Sequence, residues 1–161
     1  MSVIVRAIFI GIGATVFLDV WGFLLGLFKI KSLDNRYIGR WIAHFPKGKF
    51  VHDNITMTTP VRGEVALGWA AHYLVGIAFA FLLVVLYGKA WLEQPTLFPA
   101  LVIGIVTLCA PLFVMQPALG FGIASSKLSK PNMRRLKSLS THLAYGIGLY
   151  LTAVLMGLSA R

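Results

Sequence analysis

Three ionisable side chains fall well inside long apolar runs of this sequence: Asp19 in VFLDVWGF, His72 in WAAHYLVG and His142 in STHLAYGI. A carboxylate and two imidazoles can exchange protons near neutral pH or hold a small polar solute. Through the histidines alone they can ligate a metal or a haem iron. Each sits on a stripe of residues spaced four apart: Ala7, Gly11, Thr15 and Asp19; Gly68, His72, Gly76 and Ala80; Ser138, His142, Gly146 and Tyr150. Stripes rich in small residues let neighbouring helices approach closely. On insertion scales an Asp near a helix centre costs roughly 2.5–3.5 kcal/mol in a bilayer, so Asp19 must face protein or water.

The elements that position these groups follow from hydropathy. Of the 161 residues, 58% are hydrophobic and 12% charged, about half the charge of an average soluble domain. The reading is an all-α integral membrane protein with four transmembrane helices, at about 3–28, 64–87, 97–115 and 136–158, forming a single domain over 1–161. Within it, Pro60 is expected in the opening turn of the second span with Thr59 as cap, and Pro99 in that of the third. Trp91 reads as an interfacial anchor, Pro111 as a kink, Gln116–Pro117 as a break, and Pro131 as the start of the last helix.

The net charge of +10 resides in two loops. Loop 29–63 holds Lys29, Lys31, Arg36, Arg40, Lys47, Lys49 and Arg62, and the region after 116 holds Lys127, Lys130, Arg134, Arg135 and Lys137. The intervening connection has Lys89, and the termini have Arg6 and Arg161. This asymmetry makes loops 29–63 and 116–135 cytoplasmic and both termini periplasmic. It also names anionic lipid headgroups as the partner and leaves no nucleic-acid motif to explain. In the first loop, Leu33, Tyr37, Ile38, Trp41, Ile42 and Phe45 keep helical spacing, with Arg36, Arg40 and His44 on another face. An amphipathic helix on the membrane surface is expected there. Residues 47–59 have no period and read as either a surface loop or a re-entrant lid.

Depth brings the chemistry to one level. Asp19 lies nine residues before the inner end of its span, His72 eight past Glu64, and His142 six past Leu136, or roughly 13, 12 and 9 Å at helical rise. Tyr73 accompanies them, and Gln116 joins nearer the inner mouth. Glu64, Arg62, Arg40, His44, Arg134 and Arg135 ring a cytoplasmic entrance suited to lipid phosphate. In a structural reading the same polar groups would only bond helix to helix, at about 0.6 kcal/mol each.

AIFIGIGAT (7–15) resembles ALVIGIVTL (100–108), and HYLVGIAF (72–79) resembles HLAYGIGL (142–149), in the same order. A parallel duplication of two helices plus two would produce this, with Asp19 answered by Leu112; chance recurrence in apolar helices is the alternative. GATVFLDVWG, GRW, GEVALGWAAHYLVGI, PLFVMQPALGFGIASS and HLAYGIGLYL together resemble a small bacterial membrane family catalogued as a domain of unknown function. That resemblance, over nearly the whole chain, implies a four-helix protein of the bacterial inner membrane and brings no activity, cofactor or site residues with it.

HExxH, the nucleophile elbow and the phosphate-cradling loop are absent, which disfavours an enzyme. The single Cys109 excludes a thiolate cluster. Three functions stay open: a small proton-linked transporter or permease component, compatible with a homodimer, which the intramembrane Asp/His site favours; a haem or metal redox protein with His72 and His142 as ligands; and a non-catalytic lipid-binding or scaffold protein.

Overall fold

Ser2 begins the first helix by accepting the Val5 backbone N–H on its hydroxyl at 3.3 Å, one of the orphan donors that every helix start must satisfy. From there a computed structural model, which describes residues 1–30 and 32–158, is all-α. Its α-helices are α1 (Val3–Leu27), α2 (Asn35–Ala43), α3 (Glu64–Glu93), α4 (Leu97–Thr107), α5 (Gln116–Ala118) and α6 (Pro131–Leu158). No strand occurs among the described residues. Among those residues, Val3–Leu27, Glu64–Glu93, Leu97–Ala118 and Pro131–Leu158 are long and apolar enough to cross a membrane. Two residues of the charge count, Lys31 and Arg161, lie outside the described residues.

Several local expectations are corrected. Pro60 and Thr59 precede α3 and do not open it; the helix starts at Glu64, after Gly63 turns the chain at φ +82°. Glu64 performs the capping itself, accepting the Val61 N–H at 2.8 Å while its own N–H bonds Val61 O at 3.1 Å. At the other end α3 runs past Tyr87 to Glu93 through a non-helical Gly88. That carries Trp91 into the core, 5% exposed, where its indole donates to Thr96 O; it is not an interfacial anchor. Pro111, which has no N–H to give, opens a π-helical turn, Pro111–Met115, and the helix then continues through Gln116 and Pro117 to Ala118. Pro131 does open the last helix.

The chain forms two compact units. The first comprises residues 1–31, 73–107 and 139–161. Its core is built from Ile10, Ala14, Ala80, Leu83, Ile103, Tyr145 and Leu149. Missing side chains let its helices close: a Cβ on Gly11 would stand 2.6 Å from Ile77 Cα, and one on Gly104 3.3 Å from Gly146 Cα. The second unit comprises residues 32–72 and 108–138, with Ile55, Leu119 and Phe121 buried against Leu33, Tyr37, Trp41, Met115 and Leu128. There α2 lies on the first turns of α3 through two glycines. A Cβ on Gly39 would fall on the Glu64 carbonyl, and one on Gly68 on the Asn35 carbonyl.

The segment 47–59, for which surface loop and lid were both open, is docked in this second unit. The His52 N–H donates to Ala118 O at 2.8 Å and the Ile55 N–H to Leu119 O at 3.0 Å. Asn54 accepts the Thr56 N–H and starts the 3-10 turn Ile55–Met57.

Because both Gly39 and Gly68 meet backbone, a larger residue cannot be accommodated by a rotamer change. Gly39→Leu is expected to destabilise by about 1–3 kcal/mol or more, read as a lowered melting temperature in detergent. Gly26→Leu, at a position with nothing within 4 Å, is the control that should melt near the parent; equal melting of the two variants would refute the packing described for α2.

Candidate functional site

In the first unit, polar side chains on all its helices find partners inside otherwise apolar surfaces. Asp19 on α1 accepts a hydrogen bond from the Tyr73 hydroxyl of α3 at 3.0 Å. His142 on α6 directs Nδ1 to Gly104 O at 3.0 Å and stands 3.3 Å from Thr107 Oγ1, both on α4. A carbonyl only accepts, so the proton resides on Nδ1 and Nε2 keeps the basic lone pair. Tyr145 donates to Gly76 O at 2.5 Å. The Trp21 indole donates to Ser140 Oγ at 3.4 Å. Asp19, Tyr73 and His142 are all partly exposed within the unit.

His72 belongs to the second unit, where its ring stands edge-on to Trp69 at 5.7 Å between centroids. Gln116 is buried there and accepts from the Ser125 hydroxyl at 3.0 Å. Of the expected intramembrane residues, the structure thus joins Asp19 to Tyr73 directly and places His142 in the same unit. Among the described residues no group of three or more His, Cys, Asp or Glu side chains is arranged to hold a metal ion.

The residues expected at an entrance are arranged differently from one another. Arg62, Arg134 and Arg135 are exposed. Arg134 donates to Ser129 O, and Arg135 to Ala124 O and the Asn132 side chain. Arg40 and Glu64 face each other and are buried, Arg40 at 4% exposure. The guanidinium uses Nε and Nη2 on the two carboxylate oxygens, at 2.7 and 2.8 Å. Its remaining nitrogen, Nη1, donates to Thr58 O at 2.6 Å and Ile55 O at 3.3 Å. The Glu64 carboxylate holds the Arg40 guanidinium still more firmly in its charged form than usual. Arg40 is therefore a structural clamp, with its donors committed inside the protein and none directed to lipid phosphate.

His44 and His52 come together in the same unit. The His44 ring places Nδ1 2.7 Å from Arg40 O. The His52 ring lies 5.0 Å from that of His44 and is buried to 3% exposure with no hydrogen-bond partner on either nitrogen. Burial, then the neighbouring Lys49 and His44, push its pKa below the ordinary imidazole range, against a weaker opposite pull from Asp53. His52 is neutral at pH 7. Sequence reasoning missed it because its segment has no periodicity; the only signal was a second imidazole eight residues after His44, both flanking a basic loop.

Removing one partner of the buried pair strands the other. Arg40→Met or Glu64→Gln is expected to cost about 3–5 kcal/mol in unfolding experiments. The double variant Arg40→Met/Glu64→Leu should cost much less than the sum, since no uncompensated charge remains. Additive losses would show that the two side chains do not interact.

A family model described as a protein of unknown function (DUF2938) matches residues 8–156. No curated protein and no solved structure matches the chain.

Proposed function

The chain belongs to the DUF2938 family, and on that premise we propose that it is a small proton-coupled carrier of the bacterial cytoplasmic membrane in which Asp19 is the group that takes up and releases the proton. The observation that supports this reading is the Asp19–Tyr73 hydrogen bond inside two helices of membrane-crossing length. An acid retained at that depth carries an insertion cost that a purely structural contact repays poorly, because polar helix–helix bonds average about 0.6 kcal/mol. Tyr73 steadies the ionised carboxylate as a donor. When Asp19 is protonated, the same hydroxyl can accept from it, so one pair of side chains serves both protonation states. His142, with Nε2 basic, is a second proton acceptor in the unit.

Loops 29–63 and 116–135 face the cytoplasm and both termini the periplasm, supported by twelve cations in the two loop regions against Lys89 near the far end of α3. α2 lies along the inner leaflet, with exposed Arg36, Lys47, Lys49, Arg134 and Arg135 towards anionic headgroups. The duplication finds support in packing: Gly11 closes on Gly76–Ile77 in the first repeat as Gly104 closes on Gly146 in the second.

Asp19 is expected to give a carboxyl band that appears on acidification in pH-difference infrared spectra. That band should vanish in Asp19→Asn and be displaced in Tyr73→Phe. Proton movement into liposomes under an imposed potential, followed with an entrapped dye, should fall in Asp19→Asn to the level of empty vesicles. A titration with no such band, or flux unchanged in the variant, excludes Asp19 as the proton carrier. For orientation, reporter fusions at Lys89 should read external and those at Lys47 internal; the reverse would invert the direction of coupling.

A further inference from the structure

In the second unit the segment 47–59 lies flush against the chain that follows α5. The His52 N–H donates to Ala118 O and the Ile55 N–H to Leu119 O, while the Phe50 carbonyl accepts the Trp41 indole N–H at 2.7 Å. At Gly120, with φ +86°, a Cβ would fall on the Asp53 carbonyl, so the two stretches touch backbone to backbone. Into this contact the segment inserts the His52 ring, both of whose nitrogens are buried without a hydrogen-bond partner. A neutral imidazole tolerates such an enclosure at a cost. An imidazolium does not, because its second N–H would bring a full charge with neither water nor an acceptor to receive it. The groups packed around the ring make that charge still less welcome. The end of α2 contributes the His44 ring at 5.0 Å, above the already paired Arg40 and Glu64. The segment itself contributes Lys49 and Asp53, and residues 118–121 hold no ionisable side chain. Lys49 and His44 oppose a positive charge on His52, and Asp53 favours it more weakly.

We propose that the segment 47–59 is an acid-released strap: proton uptake by His52 undocks it from the carbonyls of Ala118 and Leu119. In the released form the ring returns to water and takes its second proton freely, so the proton and the docked contact exclude each other. Release also withdraws the Ile55 and Thr58 carbonyls from Arg40 Nη1, while Nε and Nη2 stay on Glu64. The opened strap therefore uncovers one guanidinium nitrogen and the apolar side chains of Leu119 and Phe121, which pack with Ile55 in the docked form. The sign follows from the docked form holding the His52 pKa below its ordinary value. Docking is at full strength above that ordinary value, about 6.5, and weakens as pH falls below it, by up to about tenfold per pH unit. The strap rests on neither the proton carrier nor the membrane orientation proposed above.

The test is amide hydrogen exchange of the full-length protein in lipid nanodiscs, corrected for the intrinsic pH dependence of exchange. The His52 and Ile55 amides, which hold the strap, should lose up to about tenfold in protection between about pH 7.5 and about pH 5.5. Amides in the middle of α3 should keep theirs. His52→Phe and His52→Gln have no group to titrate there, so whichever of them docks at the higher pH should stay equally protected at the lower. His44→Gln should retain the acid dependence of the parent. A further readout needs no variant to fold: in parent protein carrying ring-¹⁵N histidine, both His52 nitrogens should become protonated over the same pH range in which protection is lost. Flat protection in the parent would overturn the proposal. So would acid release persisting in a docked His52 variant, or opening of the segment while the His52 ring stays singly protonated.

Discussion

A charge removed from water must be matched where it lies, and the Arg40–Glu64 pair is the point at which the second unit meets that demand. The pair fixes more than itself. Its guanidinium holds the carbonyls of Ile55 and Thr58, its carboxylate holds the Val61 N–H, and the Arg40 carbonyl holds His44. Three chain segments and the start of α3 are therefore set by one bidentate contact. Such a pair contributes little net stability compared with an apolar replacement, because desolvation consumes most of the attraction. What it supplies here is position: Gly39 and Gly68 must bring α2 onto α3 closely enough for Arg40 to reach Glu64, and no other residue permits that approach.

The first unit obeys a different constraint. In an apolar surround, each polar side chain has to find its partner among groups already committed to helices. Four of them, Thr15, Thr107, His142 and Tyr145, solve this with backbone carbonyls at Gly11, Ile103, Gly104 and Gly76. A carbonyl has a second lone pair after its helical bond, and a glycine leaves that side of the helix open to a neighbour. The same glycines thus provide close packing and spare acceptors. An ionised carboxylate cannot use this solution, since it has no proton to donate. Asp19 is met by a phenol instead, the one pairing of the set whose direction can reverse on protonation.

Hydropathy showed the four long helices because bilayer thickness imposes a length that composition records directly. Helix ends were less legible. Pro60 has the chemistry of a first-turn residue, yet the turn at Gly63 and the capping carboxylate of Glu64 decide the start four residues later. Trp91 has the amphipathic character of an interfacial residue, and only the tertiary placement of Thr96 O shows it to be a buried donor. Asp19 and Tyr73 were both visible as deep polar residues, although their bond depends on the rotation of two helices, which a stripe of small residues indicates only coarsely. Arg40 and Glu64 were visible as charges; that they cancel each other 24 residues apart is a property of the fold. His52 was invisible, because what makes it unusual is the absence of partners, and a sequence does not show absences.

Under the proposed duplication, the two halves share their glycine contacts and a histidine inside a long apolar helix, His72 and His142, but not their chemistry. Asp19 corresponds to Leu112, and the long loop that carries Arg40, His44 and His52 has no counterpart of similar length between Glu93 and Leu97 or in the second half. The features common to both halves are those needed to pack helices in lipid, where small residues and spare carbonyls are sufficient. The features confined to the first half are a carboxylate, a buried ion pair and two facing imidazoles, each costly to bury and each demanding a specific partner. Selection for packing alone would favour neither the acid nor the orphan imidazole. Under that same proposal the scaffold is common to both halves and the carboxylate belongs to the first alone, so substitution of Asp19 should alter proton movement far more than a change at Leu112.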